Sequence, residues 1–172
     1  SNIRYYHHAG IRDVGWNIPK LAERYGMANR LLLTSMEEGV QKIPENRLNL
    51  VYNSTDVGLN TSMGEGWGLP SMEHTITGAP QVVSDNSASR ELYHDIGLLI
   101  PTTMNQTFER VETVGTVVRP EDVAIQLQKI YDDKELYEEL SVKGIEKFSK
   151  PEYNWTNIAD QWSKLFKRIM KI

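Results

Sequence analysis

The segment Ser62-Met-Gly-Glu-Gly-Trp-Gly-Leu-Pro-Ser-Met-Glu-His74 decides the fold. It follows a short apolar run, Asp56-Val-Gly-Leu-Asn60, which predicts a strand. It leads into a helix-length segment from Pro70 to Thr77, which Gly78 closes. Proline suits the first turn of a helix, because the N–H that it lacks would have no partner there. The pattern therefore predicts a strand, a glycine-rich loop and the start of a helix.

Outward from this segment, strand-like runs alternate with helix-length segments. The other predicted strands are Ile3-Arg-Tyr-Tyr6, Arg30-Leu-Leu-Leu-Thr34, Gln81-Val-Val-Ser-Asp85 and Gly97-Leu-Leu-Ile-Pro101. Further helices are expected from Pro19 to Tyr25, with Gly26 as a stop, and from Pro44 to Tyr52. This alternation predicts an α/β fold with a Rossmann-like parallel sheet flanked by helices, and ligands at the carboxyl ends of its strands.

Two segments depart from the alternation. Residues 102–118 are polar and rich in threonine, and they predict a hairpin inserted between core elements. Residues from about 120 to 172 predict a helical tail, in which we expect the aromatic and aliphatic positions to be core contacts. The apolar stripes predicted there are Ala124, Leu127, Gln128 and Tyr131, then Leu136, Leu140 and Ile145, then Ile158, Trp162, Leu165 and Ile169.

The composition is that of one ordinary globular domain over residues 1–172, with 40% hydrophobic and 24% charged residues. No apolar run is long enough to cross a bilayer, and the chain has no cysteine, which fits a reducing, cytoplasmic setting. The formal net charge of −4 argues against a nucleic-acid surface, which needs clustered Lys and Arg. It does not argue against a single nucleotide, because backbone amides at a helix start can hold a phosphate.

The glycine-rich segment has the chemistry of such a phosphate site. Gly64, Gly66 and Gly68 let the backbone turn tightly and approach a ligand closely. We expect the free amides of Gly68, Leu69 and Ser71 to point above the sheet, with the positive end of the helix behind them.

Two carboxylates flank the predicted phosphate site. Glu65 lies in the loop, where it can accept hydrogen bonds from hydroxyls of a ligand. Glu73 lies about one turn into the helix, where a carboxylate can accept from vicinal ribose hydroxyls. A phosphate between a polyol and a ribose is the layout of a sugar nucleotide.

These residues also resemble a known family. Glu65-Gly-Trp-Gly-Leu-Pro-Ser-Met-Glu73 resembles the E-G-F-G-L-P-x-x-E signature of the retaining GT-B glycosyltransferases of family 4 (glycosyl transferases group 1), with Trp67 in place of the usual Phe. The surrounding segments that resemble the family are Tyr52 to Ser62, Gly78-Ala-Pro-Gln-Val-Val83, Arg90-Glu91 and Gly97 to Pro101. The resemblance covers roughly residues 18–165 and implies the C-terminal, donor-binding half of a GT-B fold.

The resemblance implies a role for each residue of the segment. Glu65 would contact the hexose hydroxyls and is the catalytic candidate, and Glu73 would contact the ribose hydroxyls. The amides from Gly66 to Leu69 would hold the sugar and the distal phosphate, and the loop after the preceding strand would lie beside the base. The complete donor-binding set expected is Gly64, Glu65, Gly66, Trp67, Gly68, Leu69, Glu73, Thr34, Ser35 and Met36.

The implied activity is transfer of a hexose, with retention, from a nucleotide sugar to a glycan, lipid or protein acceptor. GDP-mannose or a UDP-hexose is the expected donor, and we expect no metal and no other cofactor. The family takes its acceptor side from an N-terminal domain and uses a basic Arg/Lys pair that Lys20 and Arg24 do not match in context. We therefore expect the chain to be a fragment that lacks this domain and is inactive alone. Peripheral membrane association would come through the missing half.

Two other functions remain open from the sequence. The chain could be a non-catalytic nucleotide- or sugar-binding module derived from the same fold, although the presence of Glu65 and Glu73 favours catalysis. It could also be an NAD-dependent dehydrogenase, but the glycine fingerprint of that class normally follows the first strand.

Overall fold

The computed structural model describes residues 2–13, 16–35, 42–108 and 112–170. The chain divides into two compact units, Ser1–Val51 (the N-terminal unit) and Tyr52–Ile172 (the C-terminal unit). The assignment of residues 1–172 to one domain stays a prediction.

The N-terminal unit contains a short parallel strand pair, β1 (Tyr5–His7) with β4 (Leu31–Leu33). Strands β2 (Arg12–Asp13) and β3 (Trp16–Asn17) form an antiparallel pair, and helix α1 (Ile18–Arg24) follows. The Asn17 side chain accepts from the Lys20 amide at 2.9 Å and caps α1. Gly26 follows the end of α1 with a φ of +67°, as expected of a glycine that ends a helix. Helix α2 (Glu45–Asn53) crosses the boundary between the units.

The C-terminal unit is built on a three-stranded parallel sheet of order β5-β6-β7. Its strands are β5 (Gly58–Asn60), β6 (Gln81–Ser84) and β7 (Gly97–Ile100). Helix α3 (Leu69–Ile76) connects β5 to β6, and α4 (Ser87–Tyr93) connects β6 to β7. Antiparallel strands β8 (Thr102–Phe108) and β9 (Thr113–Val118) form the predicted hairpin. Helices α5 (Pro120–Asp132), α6 (Lys134–Phe148) and α7 (Trp155–Met170) complete the unit.

The core of this unit lies around β6, all four residues of which are buried. Val83 of β6 packs in one apolar cluster with Leu92, Tyr93, Ile96 and Phe148. Because β6 is the central strand, it pairs with β5 on one side and with β7 on the other.

The contact of α6 with α3 depends on a glycine. A Cβ added at Gly144 would lie 2.5 Å from Cγ2 of Thr75, well inside the ordinary contact distance. Gly144 therefore allows α6 to pack closely against the helix that follows the glycine-rich loop.

The expected burial of the tail is partly wrong. In α5 the buried side is marked by Ile130, whereas Gln128 and Tyr131 of the predicted stripe are exposed. In α7 the apolar face is largely open, and Trp162 is 54% exposed. The helical period of these segments was correct, but periodicity does not say whether an apolar face has a partner within the same chain.

The α/β class, with parallel strands flanked by helices, is confirmed. In the part of the chain that the structure describes, no helix combines the length and the apolar character that crossing a bilayer requires.

Candidate functional site

The glycine-rich loop begins at the carboxyl edge of the parallel sheet. It runs from Thr61 to Gly68, directly after Asn60 ends β5 and directly before α3 begins. Strand β6 is parallel to β5 and ends at Ser84, so the segment that follows β6 lies at the same edge. Ligands of open α/β sheets bind outside this edge, and the loop therefore lies where the fold places a ligand.

The three positions of the loop that hold glycine differ in what the structure requires of them. Gly68 is the N-cap of α3 and takes the left-handed conformation, with φ 81° and ψ 52°, which glycine adopts without steric cost. Gly64 and Gly66 do not take a left-handed φ, and a Cβ at either would meet no atom within 4 Å. The backbone requires glycine only at Gly68, whereas Gly64 and Gly66 keep the space beside the loop open.

The start of α3 presents unused N–H groups. Among the described residues, none accepts a hydrogen bond from the amides of Gly66, Trp67, Gly68 or Leu69. The expectation that the Ser71 amide is free is wrong, because it donates to the Gly68 carbonyl at 3.1 Å and tightens the first turn. Four consecutive amides at the positive end of a helix are suited to holding an anion.

Glu65 is held at its side chain and at its backbone. Its Oε1 accepts from Nδ2 of Asn60 at 3.2 Å. Its amide donates to Oγ of Ser87 at 2.9 Å, at the start of α4. Ser87 has a φ of +38°, a conformation that costs free energy in a residue other than glycine and is found most often near functional sites.

Glu73 is held by a residue at the end of α2. The Tyr52 hydroxyl donates to Oε2 of Glu73 at 3.0 Å. The ring of Tyr52 stacks on His74, and Nε2 of His74 lies 2.9 Å from Oγ1 of Thr55. Glu73 itself is exposed, so its carboxylate is oriented yet remains open to a ligand.

The base of the loop is fixed by a network that includes the hairpin. Nδ2 of Asn86, a buried residue, donates to the Ser62 carbonyl at 3.0 Å and to Oγ1 of Thr116 at 2.7 Å. The Thr116 amide donates to the Met63 carbonyl at 2.9 Å. The inserted hairpin therefore supports the loop from one side.

Trp67 contacts the protein with part of its ring. Its Nε1 donates to Sδ of Met72 at 3.1 Å, and its ring centroid lies 6.0 Å from that of Tyr153. The residue is 40% exposed, so it is anchored and still presents a surface beside the loop.

The residues expected beside a base lie in the N-terminal unit. The Thr34 hydroxyl hydrogen-bonds Tyr6 at 2.9 Å and Nδ1 of His8 at 2.7 Å, just after β4 ends. Ser35 follows it, and Met36 lies outside the described residues. Their position next to a base stays a prediction.

Within the described ranges, no group of three or more His, Cys, Asp or Glu side chains is arranged to hold a metal ion.

Several residues that build the site carry no motif. Tyr52 and Asn60 lie in the segment that precedes the glycine-rich motif, and Asn86 and Ser87 lie in no segment that resembles the family. For Asn60, Asn86 and Ser87 the available signal was position alone: a polar residue at or just after the end of a parallel strand lies at the ligand edge of the sheet. Tyr52 lies near the end of α2 and has no such signal.

No protein-family model and no curated protein matches the chain. Solved structures do match it. Sucrose-phosphate synthase from Thermosynechococcus elongatus matches with a TM-score of 0.69 and 22% identity, over 90% of this chain. The C-terminal domain of a glycosyl transferase group 1 family protein from Francisella tularensis matches with a TM-score of 0.58 and 15% identity, over 77% of this chain. The catalytic domain of starch synthase IV from Arabidopsis thaliana, bound to ADP and acarbose, matches with a TM-score of 0.59 and 14% identity, over 88% of this chain.

The fold is that of the C-terminal half of a GT-B glycosyltransferase. The chain spans 34%, 58% and 29% of these three matched chains. The fold class expected from Gly64 to Glu73 is confirmed, and the family 4 assignment and the individual residue roles stay predictions.

Proposed function

We propose that this chain is the donor-binding half of a retaining GT-B glycosyltransferase of family 4. The reaction is transfer of a hexose from a nucleotide sugar to a glycan, lipid or protein acceptor. One observation carries the proposal: the four amides from Gly66 to Leu69 have no acceptor among the described residues, and two oriented carboxylates, Glu65 and Glu73, flank them in the chain.

The roles follow from the chemistry of each group. The amides from Gly66 to Leu69 take the distal phosphate, since helix-end N–H groups bind phosphate without a basic side chain. Glu73 accepts hydrogen bonds from the ribose hydroxyls, and Glu65 accepts them from the hexose next to the reacting carbon. The proposed donor-binding set includes Gly64 and Trp67 of the loop and, beside the base, Thr34, Ser35 and Met36.

The loop also suits the departure of the leaving group. When the bond between the sugar and the nucleoside diphosphate breaks, negative charge develops on the phosphate oxygens. Preorganised amides that are aimed at this charge stabilise the transition state more than the ground state. The site therefore needs no metal in this proposal. Because the loop is already fixed, its amides do not have to reorient as charge develops on the leaving group.

We propose that the acceptor site and a basic pair for the diphosphate belong to further parts of a longer cytoplasmic protein. We infer that the 172-residue chain binds donor weakly and transfers little sugar by itself.

The donor is proposed to be GDP-mannose or a UDP-hexose. The loop binds the features that all nucleotide sugars share, namely diphosphate, ribose and hexose hydroxyls. ADP is bound in the matched starch synthase IV structure, which supports a nucleoside diphosphate as the ligand class.

The test is a calorimetric titration of the chain with GDP, UDP and ADP, and with GDP-mannose, UDP-glucose and ADP-glucose. We expect saturable binding of at least one nucleotide together with its sugar form. Glu65→Gln is expected to weaken the sugar form and to leave the bare nucleotide nearly unchanged. If the wild-type chain binds none of the six at millimolar concentration, the proposal is wrong.

A further inference from the structure

We propose that Asn60 is the positioning residue that fixes the carboxylate of Glu65. This inference rests on the proposed function, in which Glu65 contacts the transferred sugar. The role of Asn60 goes beyond the proposed function, because it assigns a second residue, at the end of β5, to the recognition of that sugar.

The orientation of the Asn60 side chain follows from its neighbours. The amide of Ser62 points at Oδ1 of Asn60 across 2.8 Å, and a backbone N–H can only donate. The opposite end of the side chain is therefore the NH₂ group. That group donates to Oε1 of Glu65 at 3.2 Å and to Oγ of Ser71 at 3.4 Å.

The position of Asn60 is set by the sheet. Asn60 is the last residue of β5 and lies opposite Val83 in the parallel ladder. Val83 is fully buried, and the Asn60 carbonyl accepts from the Ser84 hydroxyl at 3.5 Å. A hydrogen-bond donor at the end of a strand is positioned more precisely than one in a loop, because packing restricts its rotamers.

The bond to Glu65 orients the carboxylate without neutralising it. A carboxylate has about four lone-pair positions, and one neutral N–H donor occupies only one of them. The remaining positions stay available for sugar hydroxyls. A lysine or arginine at the same place would form an ion pair and compete with the sugar for the carboxylate.

The bond to Glu65 can be separated from the bond to Ser62 by substitution. Asn60→Asp keeps an oxygen that accepts the Ser62 amide, so the turn bond remains. It replaces the NH₂ group by a second oxygen, which faces Oε1 of Glu65 and repels it. Asn60→Ser also retains an acceptor for an amide two residues on, but its side chain is too short to reach Glu65.

The experiment measures the affinity of the chain for GDP-mannose against GDP and for UDP-glucose against UDP. Asn60→Asp is expected to weaken the sugar form by about tenfold, the effect of losing a hydrogen bond to a charged group, and to leave the bare nucleotide within about twofold. Asn105→Asp, at an exposed position of β8, makes the same change of charge and is expected to bind both ligands as the wild type does.

Two further readouts distinguish positioning from a structural role. Two facing carboxyl groups share a proton at acid pH, so the lost affinity of Asn60→Asp is expected to return in part when the pH is lowered from about 8 to about 5. In a Glu65→Gln background, Asn60→Asp is expected to cause no further loss for the sugar form, because its effect passes through Glu65.

The outcomes separate the two proposals. If the wild type binds none of these four ligands and neither ADP nor ADP-glucose, the proposed function is wrong and the role of Asn60 falls with it. If the wild type binds a sugar form and both Asn60→Asp and Asn60→Ser bind it equally well, only the positioning role is overturned. Equal losses for the sugar form and the bare nucleotide also overturn it. Should Asn60→Asp not fold, Asn60→Ser decides the question.

Discussion

Tyr52 donates the hydrogen of its hydroxyl to Oε2 of Glu73 across 3.0 Å, and its ring stacks 5.4 Å from the imidazole of His74. Burial raises the pKa of Tyr52, and the hydrogen bond to Glu73 raises it further, so the phenol remains a donor throughout the neutral range. The carboxylate of Glu73 is therefore oriented by a group from the end of α2 before any ligand arrives.

Glu73→Ala is expected to weaken every nucleotide ligand of the chain, with and without sugar. The carboxylate is proposed to accept from the ribose, and a hydrogen bond to a charged group changes affinity by about 10- to 100-fold. Tyr52→Phe keeps the ring stack and removes only the orienting bond, so a smaller loss of up to about tenfold is expected. Calorimetry with the bare nucleoside diphosphates measures both effects.

The control is Glu146→Ala, which removes an exposed carboxylate from α6. It is expected to bind as the wild type does. A loss confined to the sugar-bearing ligands in Glu73→Ala would contradict the ribose role.

Gly66→Ala and Gly144→Ala form a matched pair with opposite expectations. A Cβ at Gly66 meets no protein atom within 4 Å, so the free energy of unfolding is expected to stay nearly constant while nucleotide affinity falls. A Cβ at Gly144 lies 2.5 Å from Thr75, so overpacking is expected to cost about 1–3 kcal/mol. Urea unfolding together with nucleotide titration separates the two. Unchanged affinity in Gly66→Ala would show that the open space beside the loop does not hold the ligand.

Ser87→Gly and Ser87→Ala are expected to differ in stability although both remove the same hydroxyl. Alanine retains the unfavourable φ of +38° and loses the bond to the Glu65 amide, so its free energy of unfolding is expected to fall by about 1 kcal/mol. Glycine adopts the left-handed region without steric cost, so relief of strain offsets part or all of that loss. Equal stabilities of the two variants, measured by chemical denaturation, would show that Ser87 stores no strain.

Much of the fold could be predicted from local pattern. The strand at Gln81, the helix after Gly68 and the hairpin in residues 102–118 each carry a signal within a few residues: an apolar run, a Gly-Leu-Pro start, and a polar threonine-rich insertion. Such signals depend on intrinsic backbone preferences and on periodicity, which are properties of the local sequence and do not require tertiary contacts.

The network that orients the two acids could not be predicted in this way. Asn60 meets Glu65 because a strand end and a loop return to the same point, and Ser87 meets the Glu65 amide from 22 residues further along the chain. Tertiary packing alone sets these distances. The predicted burial of Tyr131 was wrong for the same reason. A helical stripe shows which residues share a face of the helix, but it does not show whether another element packs against that face.

Protonation of His74 is expected to destabilise the fold. Burial lowers the pKa of His74, and hydrogen bonds to the backbone of Thr55 and Tyr52 oppose this shift only in part. The unfolded chain therefore binds a proton at a pH where folded His74 is still neutral, and the free energy of unfolding falls as the pH drops below about 6.5. Above that pH the neutral ring contributes its full stability.

The pH dependence of His74 can be isolated by comparison with His74→Phe, which keeps a ring against Tyr52 and removes the titrating group. Carboxylates titrate in both proteins, so the difference in slope between about pH 7.5 and about pH 5 reports His74 alone. We expect the free energy of unfolding to fall more steeply with acidification in the wild type than in the variant. Parallel slopes in urea unfolding would mean that folded His74 titrates as it does in the unfolded chain, and that its bonds to Thr55 do not depend on the neutral ring.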